Sequence, residues 1–473
     1  MADDWADFGL DLHLPLDPRD KGGSLASGIR DAIRTGRLPP GTRLPASRGL
    51  AADLGIARNT VAEVYALLAA EGWLAARTGS GTWVAGRAAP TPAHATPDTP
   101  VRARLSLRGG IPDASTFPRA EWAASVRRAV QLAPVDALGY PPPLGVPALR
   151  TVLAEYLARA RGVHADPERV VVGRGFADLL SLIGRALVAD GARTIAVEQY
   201  GHETHRAVLE STGLRLVAVP VDAEGADIAA LEATDAHAVL LTPAHQFPTG
   251  VPLSPARRLA VTAWARRTGA LVLEDDYDGE FRYDQRAIGA VQALDPEHVA
   301  YLGTASKSLA PAVGLAWAVV PRRLLPGLAS ARRGAGAGAD ALSQLALAEF
   351  VASHRFDRNV RRLRAGYRRR RELLDALVAA SGSGARVRGL AAGLHCLVEL
   401  PAGVTEDAVV AEAARRGVAV EGLAGYSAPG GASGAVPRPA AVVVGYGSPP
   451  EQVADEAIGE LVAAIGTVAR ADR

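Results

Sequence analysis

The sequence predicts two folded units: a large α/β domain whose mostly parallel sheet carries helices on both faces, and a small N-terminal unit of helices and a hairpin. Over residues 105–473, short Val-rich runs alternate with amphipathic segments, which is typical of parallel sheets covered by helices. Over residues 23–86, helical spacing of apolar residues gives way to two short strands around a glycine-rich turn. The strand candidates of the large domain include 170–172, 194–197, 238–241, 271–273 and 442–444.

The length and local composition of the chain predict its domain boundaries. A chain of 473 residues is too long for one small domain. Residues 1–22 form an acidic leader, and residues 87–104 contain four prolines without an apolar period, which indicates a semi-rigid linker. We therefore expect one domain over 23–86 and another over 105–473.

The overall composition excludes several classes of protein. With 48% hydrophobic residues, 22% charged residues and a net charge of +2, the chain reads as an ordinary globular protein. The single cysteine, Cys396, excludes an intrachain disulfide and a Cys-based zinc site. No apolar run reaches the ~20 residues of a membrane span, and the acidic N-terminus lacks a signal-peptide pattern, so we expect a cytoplasmic protein with no membrane partner. DNA binding stays open because a local basic patch suffices for it.

The first domain reads as three helices followed by a hairpin. Leu25, Ile29 and Ile33 recur at helical spacing. A Gly- and Pro-containing break ends this helix, and Ser47 is expected to cap the next one. The predicted elements are thus a helix ending before 35–41, a second helix over 47–54, a third over 57–71 closed by Gly72, and a hairpin over 73–84.

The third helix carries residues suited to reading DNA. In a helix-turn-helix, the second helix of the motif enters the major groove with its N-terminus first. Here that helix opens with Arg58, Asn59 and Thr60, which suit guanine, adenine and a phosphate respectively. Residues 23–86 contain seven arginines against four acidic residues. The further candidates for DNA contact are Arg43, Ser47 and Arg48, near the start of the second helix, and Arg77 and Gly79 at the hairpin tip, which would act as a wing over the minor groove.

The combined pattern closely resembles the GntR-type winged helix-turn-helix, which implies a double-stranded DNA operator as partner. Each residue alone has a simpler explanation, such as a solvated arginine, and three helices with a hairpin also occur in protein-interaction modules. The matching segments are 33–48, 50–51, 54–55, 58–61, Tyr65, Leu68 and 71–72.

Lys307 is one of only two lysines among 52 basic residues. Arginine cannot replace lysine where a primary amine must form a covalent C=N bond. Lys307 lies on a loop of small residues after the apolar run 299–302, the kind of position at which pyridoxal 5'-phosphate (PLP) enzymes hold their cofactor as a Schiff base. The alternative is a stray surface lysine, a description that fits the other lysine, Lys21.

Three further features fit a PLP site, each with an alternative. Thr304 can donate its hydroxyl to the phosphate from the same loop as Lys307. Gly175 and Phe176 open a helix after a Val-rich strand, where backbone amides can bind an anion, although a simple tight turn explains the glycine equally well. The acids of 274–280 follow a buried strand, where α/β proteins bind ligands. A carboxylate there can keep the pyridine nitrogen protonated, but a metal site or a hydrated acid cluster is also compatible.

Together these segments resemble fold-type I PLP-dependent aminotransferases, in the variant fused behind a GntR domain: the MocR-type transcription regulators. The resemblance spans essentially the whole chain, in the expected order. The matching segments are 110–113, 117–118 with Trp122, 139–141 with Gly145 and 149–150, 242–250, 274–283, 303–311 and 393–395.

The resemblance implies a role for each matching residue. Lys307 would form the Schiff base, Asp275 would pair with the pyridinium nitrogen, and Tyr277 would bond the ring hydroxyl oxygen. Bidentate arginine suits a carboxylate, and Arg438 matches the arginine that takes the α-carboxylate of a ligand. The other expected cofactor contacts are Thr304, Gly175, Phe176, His202 and Gln246.

The chain departs from the family pattern at three positions. Gly314 stands where relatives carry a phosphate-binding arginine, and His202 stands where a tyrosine contacts the ring. Gly175 replaces a frequent glutamine. Arg174 is a candidate substitute for the missing phosphate ligand.

These expectations favour a PLP-responsive, sequence-specific transcription regulator. Its second domain would sense PLP or an amino-compound effector and would form a homodimer, because two winged helices read two half-sites. Residual transamination is compatible with the same residues. The alternatives are a working aminotransferase with an auxiliary DNA-binding domain, and a DNA-binding repressor that has lost PLP because Gly314 replaces arginine.

Overall fold

The computed structural model describes residues 16–77, 81–85, 104–283, 289–336, 338–429 and 439–471. The chain divides into two units, Met1–Val101 and Arg102–Arg473. Most of the predicted leader and nearly all of the predicted linker lie outside the described residues.

The N-terminal unit consists of three helices and a small antiparallel sheet, which confirms the predicted order of helices and hairpin. The sheet has the strand order β1-β3-β2, so a short additional strand pairs with the hairpin. The elements are α1 (Lys21–Arg34), β1 (Arg43–Leu44), α2 (Ser47–Asp53), α3 (Arg58–Ala70), β2 (Leu74–Arg77) and β3 (Gly81–Val84).

One apolar core holds this small unit together. Leu25 of α1, Leu50 of α2 and Leu68 of α3 are buried in the same cluster. The hydroxyl of the buried Tyr65 donates to the carbonyl of Pro45 at 3.0 Å, which ties α3 to the segment before α2. The first turn of α3 is therefore held in a defined position relative to α2.

The prediction that Ser47 caps α2 is wrong. Ala46 is the N-cap residue, with extended backbone angles, and no side-chain cap bond is present there. Ser47 is already the first residue of the helix, one position beyond the place from which a cap hydroxyl reaches the free amides of the first turn.

The larger unit contains eleven helices within the part of the chain that the structure describes. They alternate with strands along most of the unit, as the sequence predicted. Their bounds are α4 (Arg119–Leu132), α5 (Pro147–Arg161), α6 (Phe176–Ala189), α7 (Glu203–Ser211), α8 (Ile228–Glu232), α9 (Pro255–Thr268), α10 (Leu325–Ala335), α11 (Ala341–Ala352), α12 (Arg355–Ala380), α13 (Glu406–Arg415) and α14 (Glu451–Ala471).

The strands of this unit form one large sheet and several smaller ones. The large sheet has seven strands in the order β5-β13-β12-β11-β10-β6-β7, and all of them except β13 run parallel. The strands are β4 (Leu105–Ser106), β5 (Val170–Gly173), β6 (Thr194–Glu198), β7 (Arg215–Val219), β8 (Val221–Asp222), β9 (Gly225–Ala226), β10 (Ala238–Leu241), β11 (Leu271–Asp275), β12 (Val299–Thr304), β13 (Ala316–Val319), β14 (Arg386–Arg388), β15 (Cys396–Glu399), β16 (Val418–Ala419), β17 (Glu421–Gly422) and β18 (Ala441–Val444).

Alternate residues of the large sheet enter different apolar cores. Val170 and Val172 belong to the largest core, and Val171 belongs to a core on the opposite face. Tyr301 and Leu302 of β12 divide in the same way. Because side chains alternate along a strand, the sheet is buried on both faces, which explains its near-continuous apolar runs.

The predicted strand 442–444 forms, but in a different sheet. It lies in β18, which pairs antiparallel with β15 and β17 in a four-stranded sheet of order β14-β15-β18-β17. An apolar run identifies a buried strand without specifying its partner. None of the helices in the described ranges is long and apolar enough to cross a membrane.

Candidate functional site

One pocket gathers most of the residues that the sequence singled out in the larger unit. It lies where β6, β10, β11 and β12 end, next to the first residue of α6. Ligands bind outside the carboxyl ends of strands in such sheets. The predicted residues that line it are Phe176, His202, Asp275, Tyr277, Thr304 and Lys307, and they are joined by Val197, Glu198, Tyr200, Gly201, His205, Arg206, Leu240, Thr242, Phe247 and Ser306.

Lys307 lies on the loop that follows β12. Its Nζ donates to the carbonyl oxygen of Gly110 at 2.5 Å. Burial lowers the pKa of Lys307, while the carboxylates of Asp275 and Asp278 oppose that shift. A lower pKa increases the fraction of neutral amine, which is the nucleophilic form.

Asp275 is the last residue of β11 and is only 5% exposed. Its Oδ1 atom is buried and accepts no hydrogen bond from any residue that the structure describes. Burial raises the pKa of Asp275 well above its usual range, Lys307 lowers it, and neighbouring carboxylates raise it further. A buried carboxylate without a partner is costly, so this oxygen fits a protonated ring nitrogen of a bound molecule.

Tyr277 follows Asp275 by two residues and points to a buried pair of histidines. Its hydroxyl donates to the carbonyl of His245 at 3.0 Å and lies 3.3 Å from His245 Nδ1. The same Nδ1 lies 2.8 Å from an oxygen of Asp278. His395 packs against His245 at 4.8 Å between ring centroids. The sequence interpretation missed these histidines, since nothing in their spacing along the chain relates them to Tyr277.

The start of α6 and the loop of Thr304 form one wall of the pocket. Gly175 is the N-cap residue, with φ at 126°, a value that favours glycine. The first amides of a helix lack partners within it. Thr304 Oγ1 donates to Ser306 Oγ at 2.9 Å and accepts from the Ser306 amide at 3.1 Å. Ser306 was missed from the sequence, although it lies between Thr304 and Lys307.

Neither Gly314 nor Arg174 supplies a cation to this wall of the pocket. Gly314 has φ at 63°, in the left-handed region, and does not line the pocket. Arg174 is 55% exposed at its side chain and lies 3.5 Å from the carboxylate of Asp178, away from the pocket lining. The guanidinium of Arg206 does reach the lining, but it donates to the carbonyls of Gly201, Tyr426 and Ser427.

Two imidazoles line the pocket between Lys307 and α6. The ring of His202 stacks on Phe247 at 4.2 Å with an angle of 10° between planes. The ring of His205 lies 5.0 Å from His202 and 4.6 Å from Phe176. Burial, reinforced by nearby positive charge, lowers the pKa of His202 to about 4 and that of His205 to about 3. His205 lies three residues after His202, one helical turn further on, and that spacing was the signal that could have identified it.

Gln246 does not line this pocket. Gln246 is buried behind it, where its amide donates to the carbonyls of Tyr200 and Phe247 at 3.1 and 2.7 Å. It also accepts from the hydroxyl of Thr249. Gln246 thus shapes the loop that carries Phe247, while Arg438 lies outside the described residues.

A buried ion pair fixes the segment that carries Asp275 and Tyr277. Arg161, the last residue of α5, forms two hydrogen bonds to Asp276 at 2.6 and 3.0 Å. Their side chains are 5% and 1% exposed. Tyr301 also donates to Asp276, at 2.8 Å. The pair therefore anchors the end of β11 from the side opposite the pocket.

In the smaller unit, the predicted DNA contacts lie on its surface. Arg58 and Asn59 are exposed and Thr60 is half-buried, all three in the first turn of α3. Arg43 and Arg48 are also exposed, with Ser47 half-buried between them in sequence. No acidic partner pairs with Arg43, Arg48 or Arg58 among the residues that are described. Gly79 and the side chain of Arg77 lie outside the description.

Comparisons with protein families match both units. Residues 23–84 match the gntR family of bacterial regulatory proteins. Residues 110–430 match aminotransferase class I and II. The chain therefore combines a helix-turn-helix of regulatory proteins with an aminotransferase-like domain.

Two relatives of this chain are named as regulatory proteins. The HTH-type pyridoxine biosynthesis transcriptional regulator PdxR of Corynebacterium glutamicum is 32% identical over 96% of this chain and 99% of its own length. The probable rhizopine catabolism regulatory protein MocR of Rhizobium meliloti is 34% identical over 74% of this chain and 75% of its own. The chain belongs to the MocR-type transcription regulators.

The fold of the larger unit is that of known aminotransferases. The alpha-aminoadipate aminotransferase LysN from Thermus thermophilus superposes with a TM-score of 0.67 at 24% identity. The match covers 78% of this chain and 93% of that one. It confirms the predicted fold-type I architecture.

Replacing Arg161 by Met should destabilise the larger unit by ~3–5 kcal/mol, because Asp276 would remain as a buried charge without its cation. Urea unfolding followed by circular dichroism measures this loss. Arg215→Met is the matched control: its pair with Asp235 is 61% and 67% exposed, and such a pair contributes less than about 1 kcal/mol. Equal effects of the two substitutions would contradict the anchoring role of Asp276.

Proposed function

We propose that this transcription regulator binds PLP in the larger unit, together with an amino compound, and binds operator DNA through the smaller unit as a homodimer. The observation that carries the proposal is the unpartnered, buried Oδ1 of Asp275 in the same pocket as Lys307. Among the described residues, Asp275 Oδ1 has no donor and Lys307 forms no ion pair. A carboxylate and an amine in this state suit a cofactor with a basic ring nitrogen and an aldehyde.

In this proposal, each pocket residue has a defined role in binding the cofactor. Lys307 supplies the amine that holds the cofactor covalently. Asp275 keeps the proton on the ring nitrogen, and Tyr277 donates to the ring hydroxyl oxygen in place of the carbonyl of His245. His202 packs against one face of the ring. Thr304 and the first amides of α6 hold the phosphate.

PLP, when bound, withdraws electrons from the amino compound attached to it. Lys307 can accept or return a proton at its Nζ, because burial favours the neutral amine. Arg438 is the proposed partner of the ligand carboxylate. These residues suffice for ligand recognition, and the binding of a ligand shifts the population between two arrangements of the regulator.

A homodimer is supported by an exposed apolar stretch at the end of α4 and just beyond it. Contiguous exposed apolar side chains mark protein–protein contacts, and a two-fold dimer reads two half-sites of an operator. The exposed fractions are 50% for Val130, 65% for Leu132, 84% for Val135, 60% for Leu138 and 97% for Tyr140.

The alternative, a working aminotransferase with an auxiliary DNA-binding domain, is favoured only by the retention of Lys307 and Asp275. The regulator has the stronger support, because a relative that aligns with 96% of this chain is named a transcriptional regulator. Steady turnover of amino acids by the purified protein, at rates typical of aminotransferases and without any response of DNA binding to ligand, would favour the alternative.

Replacing Lys307 by Ala should abolish the near-violet absorbance of protein-bound PLP and the covalent attachment trapped by borohydride. The reason is that Lys307 is the only lysine among the described residues that line the pocket. Lys21→Ala is the matched control, since it removes the remaining lysine of the chain, which is exposed at the start of α1. Retained absorbance in Lys307→Ala, or its loss in Lys21→Ala, would refute the assignment.

Replacing Arg58 or Asn59 by Ala should each weaken specific operator binding by ~1–3 kcal/mol, the cost of one base contact. Fluorescence anisotropy with operator DNA and with an unrelated duplex separates specific from general binding. PLP absorbance should not change. Arg37→Ala, an exposed arginine that lies between α1 and β1, serves as the control, and unchanged operator affinity in both α3 variants would place the recognition surface elsewhere.

A further inference from the structure

His205 lies beside the start of α6. It belongs to the first turn of α7, and its ring lies 4.6 Å from that of Phe176, the first residue of α6. Its ring lines the same pocket as Thr304 and Ser306. No hydrogen bond to the His205 ring is formed by any residue within the described ranges. A polar ring that faces a pocket without a partner is available to a ligand.

We propose that His205 binds the phosphate group of the cofactor, in the place where a cationic side chain is otherwise missing. This inference rests on the proposed function, in which PLP occupies the pocket. Asp275 is only 5% exposed, and its Oδ1 has no partner among the described residues, which independently indicates a ligand in the same pocket. Asp275 serves the ring end of that ligand, and His205 serves its anionic end.

The other cations near the pocket are already engaged. The three carbonyls of Gly201, Tyr426 and Ser427 accept from Arg206. Arg174 lies against Asp178, and Lys307 is required for the aldehyde. His202 stacks flat on Phe247, which suits an aromatic ring face better than a phosphate. Among the described residues that line the pocket, His205 is therefore the remaining candidate for a cationic contact to the phosphate.

The groups around His205 favour the binding of an anion. Burial is the largest cause of the lowered pKa of His205, and the neighbouring His202, Lys307 and Arg206 lower it further. A phosphate dianion next to the ring has the opposite effect and favours the imidazolium form. Even the neutral ring carries one N–H donor, so a contact forms in either state.

Two ligands that differ only in the phosphate isolate this contact. Pyridoxamine 5'-phosphate and pyridoxamine carry an amine in place of the aldehyde, so neither condenses with Lys307. Isothermal titration gives the dissociation constants of both, and their ratio is the preference for phosphate. The full-length protein freed of PLP, its His205→Phe variant and its Arg174→Ala variant are compared, the latter because it removes a nearby charge that does not line the pocket.

We expect His205→Phe to reduce the phosphate preference about tenfold or more, as the loss of a charge-assisted bond implies. The affinity for pyridoxamine should change less than threefold, and Arg174→Ala should leave the preference intact. If His205→Phe fails to fold, His205→Ala carries the same comparison.

Three outcomes would overturn the proposal. An unchanged preference in the His205 variants would leave the phosphate to the α6 amides and Thr304 alone. An equal loss in Arg174→Ala would indicate a general effect of charge instead of a contact. Failure of the parent protein to bind either ligand or PLP would overturn the proposed function itself, and the inference with it.

Discussion

The architecture of the pocket depends on the buried ion pair between Arg161 and Asp276. Asp275 and Tyr277 line the pocket. The side chain of Asp276, between them in the sequence, points instead into the interior. Its carboxylate accepts two bonds from Arg161 and one from Tyr301. The packing around Asp276 leaves no room for a side chain at position 279, since a Cβ on Gly279 would lie 2.1 Å from an oxygen of Asp276. Helix α5 and strand β12 thereby fix the position of Asp275.

The pocket itself is held in an electrostatically unfavourable state that a ligand can relieve. Burial raises the pKa of Asp275 and lowers the pKa of Lys307, so both groups are driven toward their neutral forms. The histidines nearby are likewise driven toward neutrality. Desolvated groups without partners cost free energy in the folded protein. The proposed cofactor, with a cationic ring nitrogen, an aldehyde and an anionic group, would supply partners for these groups.

The sequence predicted most of the architecture, because strand and helix periods are local properties of the chain. It also placed Lys307, Asp275, Tyr277 and Thr304 in one pocket, since such residues follow strands whose carboxyl ends meet at one edge. The direction in which a side chain points, by contrast, depends on contacts with residues that are distant in the sequence. Gln246 faces inward because backbone carbonyls around it need donors. His205 faces the pocket because α7 turns it there.

The backbone conformation at position 314 disfavours the replacement of glycine by any other amino acid. A side chain in the left-handed region costs roughly 1–2 kcal/mol, and residue 314 has φ at 63°. A mutation that places arginine at this codon therefore meets a penalty before any benefit from the phosphate contact. A Cβ at this position would meet no described atom within 4 Å, so the penalty comes from the backbone conformation and not from crowding.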